Sequence, residues 1–74
     1  MGRLSGFKYK EVARRLRAFG YAYRRQGKGS HEVWRHADSG RVILVPHHSR
    51  DMPEGTLRAI LRQAEIDVED FLNA

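Results

Sequence analysis

Apolar residues recur at helical spacing from Tyr9 to Phe19, where Val12, Leu16 and Phe19 fall four and three apart with Ala13 on the same stripe. Arg14, Arg15 and Arg17 fall largely around the other side. The pattern predicts an amphipathic helix closed by Gly20, because glycine adopts a left-handed C-terminal cap with least strain. Its start is less marked, since Lys8 is a poor N-cap. The period then changes to two. Tyr21 and Tyr23 share one face of an extended segment reaching Gln26, with Arg24 and Gln26 on the other. Gly27-Lys28-Gly29-Ser30 predicts a flexible connection. His31 to His36 is a second predicted strand, with Val33 and Trp34 as its β-formers. Ala37-Asp38-Ser39-Gly40 has turn composition. Val42-Ile43-Leu44-Val45 is a third strand, ended by Pro46, which cannot donate to a ladder.

A polar loop from His47 to Met52 follows, then a second helix entered through Asp51 and Pro53. Asp51 with Glu54 three residues on resembles a capping box. Leu57, Ile60, Leu61 and Ala64 form this helix's buried stripe. A short last helix opens at Asp67, with acids in its first turn, and closes with Phe71-Leu72. The predicted class is α+β in the order α-β-β-β-α: a three-stranded antiparallel sheet, two helices on one face and a short C-terminal helix. Val12, Leu16, Phe19, Leu57, Ile60, Leu61 and Phe71 would form the core. The other sheet face would stay open to a ligand. That is the layout of a double-stranded-RNA-binding-like fold, although fold alone assigns no function.

Size and charge narrow the classes. The 74 residues read as a single domain, 1–74, with no room for a separate cofactor domain. A chain this short buries only about 60% of its unfolded surface, so the core is thin. The absence of cysteine excludes disulfide staples and thiolate metal sites. No apolar run approaches the ~20 residues of a membrane span, and no signal-peptide core is visible near Met1, so a cytoplasmic protein is expected. Charge is uneven. Residues 1–50 carry 12 Lys and Arg against 3 Asp and Glu, whereas residues 51–74 carry 2 against 6. A basic body with an acidic end favours a polyanionic ligand for the first part, although a merely solvated surface fits charge alone equally well.

The candidate chemistry centres on Gly29-Ser30-His31. Imidazoles move protons near neutral pH, and Arg24, Arg25 and Lys28 surround this one with positive charge. His47 and His48 are open to three readings: a second proton-transfer group, phosphate donors, or loop residues after Pro46. A supporting or structural role is favoured. These two and His36 lack nearby Asp or Glu ligands and paired helical spacing, so no metal site is expected. Tyr21, Tyr23 and Trp34 fit base stacking or the sheet core. Arg14, Arg15 and Arg17 fit a phosphate-facing ridge, a solvated helix face, or a surface for an acidic partner.

Ordered segments across nearly the whole chain resemble the HicA toxin family of small bacterial ribonucleases. They are Tyr9-Lys10-Glu11-Val12 with Leu16, Phe19-Gly20-Tyr21, Arg25-Gln26-Gly27-Lys28-Gly29-Ser30-His31, Val45-Pro46-His47-His48, Gly55 to Ala64, and Val68-Glu69-Asp70-Phe71-Leu72. The resemblance implies a toxin of a type II toxin–antitoxin system, a metal-independent endoribonuclease that cleaves mRNA and needs no cofactor. It places the catalytic histidine at His31; the chemistry of holding and cleaving an RNA phosphate makes Arg24, Arg25, Lys28, Gly29, Ser30, His47 and His48 the candidate RNA contacts around it. It also implies a HicB-like antitoxin covering the basic face and His31. The chain departs from the family at Glu65, where a glycine usually closes the second helix, and in the extra Gly27-Lys28 before the triplet. The rival readings are a non-catalytic RNA-binding module of the same fold and a pure protein-interaction domain.

Overall fold

In a computed structural model, which describes residues 3–47 and 50–74, six elements follow in order: α1 (Tyr9–Ala18), β1 (Tyr21–Gln26), β2 (His31–His36), β3 (Val42–Pro46), α2 (Glu54–Ala64) and α3 (Val68–Leu72). The strands form one antiparallel sheet in the order β1-β2-β3. This is the expected α+β arrangement. Val12 and Leu16 of α1 and Leu57, Ile60 and Leu61 of α2 pack with Trp34, Ile43 and Val45 from one sheet face. Trp34 is fully buried and Tyr21 nearly so, its hydroxyl donating to Ala64 O at 2.9 Å. Both are therefore core, while Tyr23 is half exposed.

Three local expectations need correction. Phe19 is only partly buried, because α1 stops at Ala18 and the Phe19 backbone leaves the helical path at φ −99°, ψ 12°. Its ring therefore packs on the rim of the core. The N-cap of α2 is Pro53, with no side-chain cap bond, so Asp51 and Glu54 form no capping box. Asp51 instead pairs with Lys8 Nζ at 2.6 Å. Gly27 to Ser30 is not a loose link, since Gly27 N donates to His31 O at 2.8 Å and His31 N to Lys28 O at 3.1 Å.

Other ends behave as the residues dictate. Gly20 has φ +90°, and a Cβ there would lie 2.8 Å from His36 Nε2, so both backbone and space require glycine. Asp67 caps α3 by accepting from Glu69 N at 2.8 Å. Glu65 closes α2 in the left-handed region at φ 57°, a position where glycine would be unstrained. Leu4 and Met52 also enter the core, joined through Met52 N donating to Phe7 O at 2.8 Å. No helix among the described residues is long and apolar enough to cross a membrane.

The arginines of α1 have structural partners. Arg14 pairs with Glu11 at 2.7 Å. Arg15 donates to Phe71 O and Leu72 O at 2.8 and 3.0 Å and lies over the Phe7 and Phe71 rings, so it clamps the C-terminus of α3 onto α1. Arg17 lies over Trp34, 5.6 Å from the ring centroid. Arg14 and Arg15 are thus taken up by contacts within the chain and form no free phosphate ridge.

Candidate functional site

The sheet's alternation sorts the strand side chains into two sets. In β2, Glu32 and Trp34 turn towards the helices, and His31, Val33 and Arg35 turn to the open side. In β3, Ile43 and Val45 face the core while Val42 and Leu44 are half exposed on the other side. His31 pairs with Pro46 across the ladder, so both stand at one end of the open face. The ladder continues one step further, with His47 N donating to Ser30 O at 3.0 Å.

A β-bulge changes the basic patch. Tyr23 pairs with Trp34 and Arg25 with Val33, so Arg24 is the inserted residue. Simple alternation would have sent Arg24 and Arg25 to opposite sides. Instead both line one shallow hollow of about 270 Å³ with Val33, Arg35 and Val42. Gln26 does not share a face with Arg24. Its amide closes the hairpin loop, donating to Gly29 O at 2.9 Å and His31 O at 3.0 Å. These bonds hold the His31 backbone while its side chain remains exposed. Gly29 adopts φ +60° with open space where a Cβ would be, which suits the turn and leaves room for another molecule. Lys28 and Gly29 are exposed and Ser30 is half-buried.

His31 lies at a groove between the open face and α2. One part, of about 450 Å³, includes Arg50, Asp51 and Thr56. The other, of about 560 Å³, includes Leu44, Ala59 and Gln63. The imidazole makes no hydrogen bond to any described residue. Arg24, Arg25, Lys28 and Arg35 form no ion pair among the described residues either. An exposed imidazole on the same sheet face as unpaired cations is an arrangement that can receive a phosphate and move protons at its oxygens.

His47 is placed differently. Its Nδ1 lies 3.1 Å from Glu32 Oε2, and its ring stacks on Tyr9 at 3.6 Å between centroids. Glu32 also accepts from Tyr9 Oη at 2.7 Å and from Trp34 Nε1 at 2.9 Å. Burial alone would raise the Glu32 pKa, but the bonds from Trp34, Tyr9 and His47 hold it below the usual carboxylate range. Burial, followed by the bond to Glu32, pushes the Tyr9 phenol up to about 12. This network anchors His47 on the helix side, so it is not brought together with His31. His48 lies outside the described residues. His36 is a turn cap, its Nδ1 accepting from Asp38 N and Ser39 N at 3.2 and 3.1 Å. Among the described residues no three His, Asp or Glu side chains converge as metal ligands.

Three contributors escaped sequence reasoning. Arg35 joins the basic hollow through strand alternation, which the strand assignment could have supplied. Glu32 was hidden by a charged residue's usual place on the surface. Gln63 sits on the polar side of α2 and acquires its groove position from β3, which no local pattern encodes.

The family model described as the HicA toxin of bacterial toxin–antitoxin systems matches residues 9–66. That span runs from the first residue of α1 past the end of α2 and contains the hollow, the groove and His31. No curated protein matches the chain.

Proposed function

The chain belongs to the HicA toxin family, and from that premise we propose that it is an endoribonuclease that cleaves mRNA in the cytoplasm with His31. As a toxin of a toxin–antitoxin pair it has an antitoxin partner. RNA carries its own nucleophile, the 2′-hydroxyl beside the scissile phosphate. Attack of that oxygen on phosphorus forms the 2′,3′-cyclic phosphate and expels the 5′-oxygen. One proton leaves the 2′-hydroxyl and one arrives at the 5′-oxygen, and His31 serves as base or acid in this exchange. Arg24, Arg25 and Lys28 hold phosphates, while Gly29 and Ser30 shape the turn that the RNA backbone approaches. No step requires a metal. His47 supports the ladder end through Glu32.

The observation that carries this reading is the exposed, unpartnered His31 imidazole at a groove on the sheet face that also carries the unpaired cations Arg24, Arg25 and Arg35. Purified protein and labelled single-stranded RNA in chelator test it. Wild type should produce cyclic-phosphate ends. His31→Ala should cut about 10²–10⁴-fold more slowly with an unchanged melting temperature. A folded His31→Ala protein cutting at the wild-type rate overturns the assignment.

A second reading, a non-catalytic RNA-binding module, draws support from His47 being turned away from His31, which leaves His31 without an evident proton-transfer partner. Retention of RNA without cleavage would favour it. In either case we infer that a HicB-like antitoxin covers the basic face and His31 with acidic groups. A complex with His31 open and activity intact would refute that inference.

A further inference from the structure

The groove at His31 has two limbs with different chemistry. The limb towards Arg50 and Asp51 is charged. The other runs along α2, with Leu44 and Pro46 on the sheet side and Thr56, Ala59 and Gln63 on the helix side. His31, Pro46, Pro53 and Thr56 line both, so His31 stands where the limbs join.

Gln63 is fixed in an informative way. Leu44 N lies 3.3 Å from Gln63 Oε1, on the β3 edge that faces no other strand. A backbone N–H can only donate, so the amide oxygen must face it and Nε2 is turned away. Nε2 has no hydrogen-bond partner among the described residues. The limb therefore offers apolar walls and one unused amide donor. A flat ring with a hydrogen-bond acceptor on its edge matches that chemistry, and an unpaired nucleobase is such a ring. The limb is continuous with the place of His31, and Arg50 on the adjoining limb favours a phosphate-linked ligand.

We propose that this limb holds the nucleobase adjoining the phosphate at His31, and that Gln63 Nε2 donates to an acceptor on that base. Gln63 is then a specificity-determining residue of the ribonuclease, an inference resting on the activity proposed above. One hydrogen bond of this kind discriminates about three- to tenfold between bases that offer the acceptor and bases that do not.

The test maps cleavage ends on a mixed-sequence single-stranded RNA for wild type, Gln63→Glu and Gln63→Ala, with His31→Ala as the control for activity. Gln63→Glu keeps an oxygen for Leu44 N–H but replaces the donor with an acceptor. It should shift the base distribution at least threefold towards bases that present an amine on the same edge. Gln63→Ala should flatten the distribution. Melting curves establish that both variants fold. An identical distribution in the three proteins overturns the inference, while His31-dependent cleavage leaves the ribonuclease reading intact. If wild type does not cleave, the ribonuclease reading falls, and binding to short RNA homopolymers decides the role of Gln63. Equal relative affinities in wild type and Gln63→Glu then overturn it. An unchanged cleavage pattern with weakened inhibition by the cognate antitoxin also overturns it and assigns the limb to the antitoxin.

Discussion

Glu32 and His31 are neighbours in β2, yet the pleat sends them to opposite sides of the sheet with opposite surroundings. Glu32 is buried and serves Tyr9, Trp34 and His47 at once. The His31 side chain is exposed and bonds to no described residue. The same division extends across the two faces. On the helix side, Arg15 clamps the end of α3 and His36 caps a turn. On the open side, Arg24, Arg25 and Arg35 share a hollow without a carboxylate. A domain with a thin core uses polar contacts to hold its elements together. Charges left unpaired must then sit where water solvates them, and that is also where a polyanion can reach them.

The comparison breaks most readily at Glu32. Glu32→Ala removes the acceptor of the buried Trp34 N–H and the tether of His47. The loss should be about 1–3 kcal/mol, the range for leaving a buried polar group unpaired, measured by urea denaturation. The pH dependence has a definite sign. Because the Glu32 pKa is lowered from its ordinary 4.5, its contribution is complete above about pH 4.5 and disappears as pH falls through the lower folded-state value. Tyr9 acts at the other end. Its phenol is raised from 10.0 to about 12, so stability is lost as pH rises from 10 towards 12. Glu32→Gln should flatten the acid limb and leave most of the alkaline one. An acid limb as steep in Glu32→Gln as in wild type would show that Glu32 is not a structural charge.

The open face should respond in the opposite way. Arg24→Ala with Arg25→Ala should leave the melting temperature nearly unchanged, since neither side chain holds another element. RNA affinity should fall, and the slope of log affinity against log salt should shrink by about 1.4, the value for two phosphate contacts on a single strand. A large stability loss with an unchanged salt slope would erase the distinction between the faces.

This division explains what was legible beforehand. Local signals placed all six elements. The apolar stripe of α1 and the period of two in β1 need no tertiary knowledge. Val33 and Trp34 marked β2 by strand propensity, and Asp67 marked the start of α3. The proposal for His31 rests on its triplet and the order of segments around it, and the structure adds that its side chain is exposed at a groove. The bulge at Arg24 was not legible, because an inserted residue shows only against the partner strand. Leu4 belongs to a stretch too short for periodicity to register. The Asp51–Glu54 pattern matched a capping box in spacing alone, and a proline at the cap position had already displaced it. The role of Gln63 depends on which atom of its amide meets β3, a fact that exists only after α2 docks.

Glu65 tests the smallest effect and the helix-side claim at its weakest point. Its backbone sits at φ 57°, where a side chain costs about 1–2 kcal/mol. Its carboxylate lies 3.1 Å from Arg41 in an exposed pair, and such pairs contribute about 0–1 kcal/mol. Glu65→Gly relieves the strain but gives up the pair and loosens the unfolded chain, which offsets about 0.4–1 kcal/mol. The net gain should be about 0.5 kcal/mol, or roughly 2–4 °C in melting temperature for a domain of this size. Glu65→Ala separates the two contributions, since it loses the pair and keeps the strain, so it should not gain. The advantage of Gly over Glu should grow with salt, because salt screens the Arg41 pair and leaves the backbone strain untouched. If Glu65→Gly is instead less stable than wild type at every salt concentration, the Arg41 pair outweighs the strained cap, and charge pairing supports this face more strongly than its exposure implies.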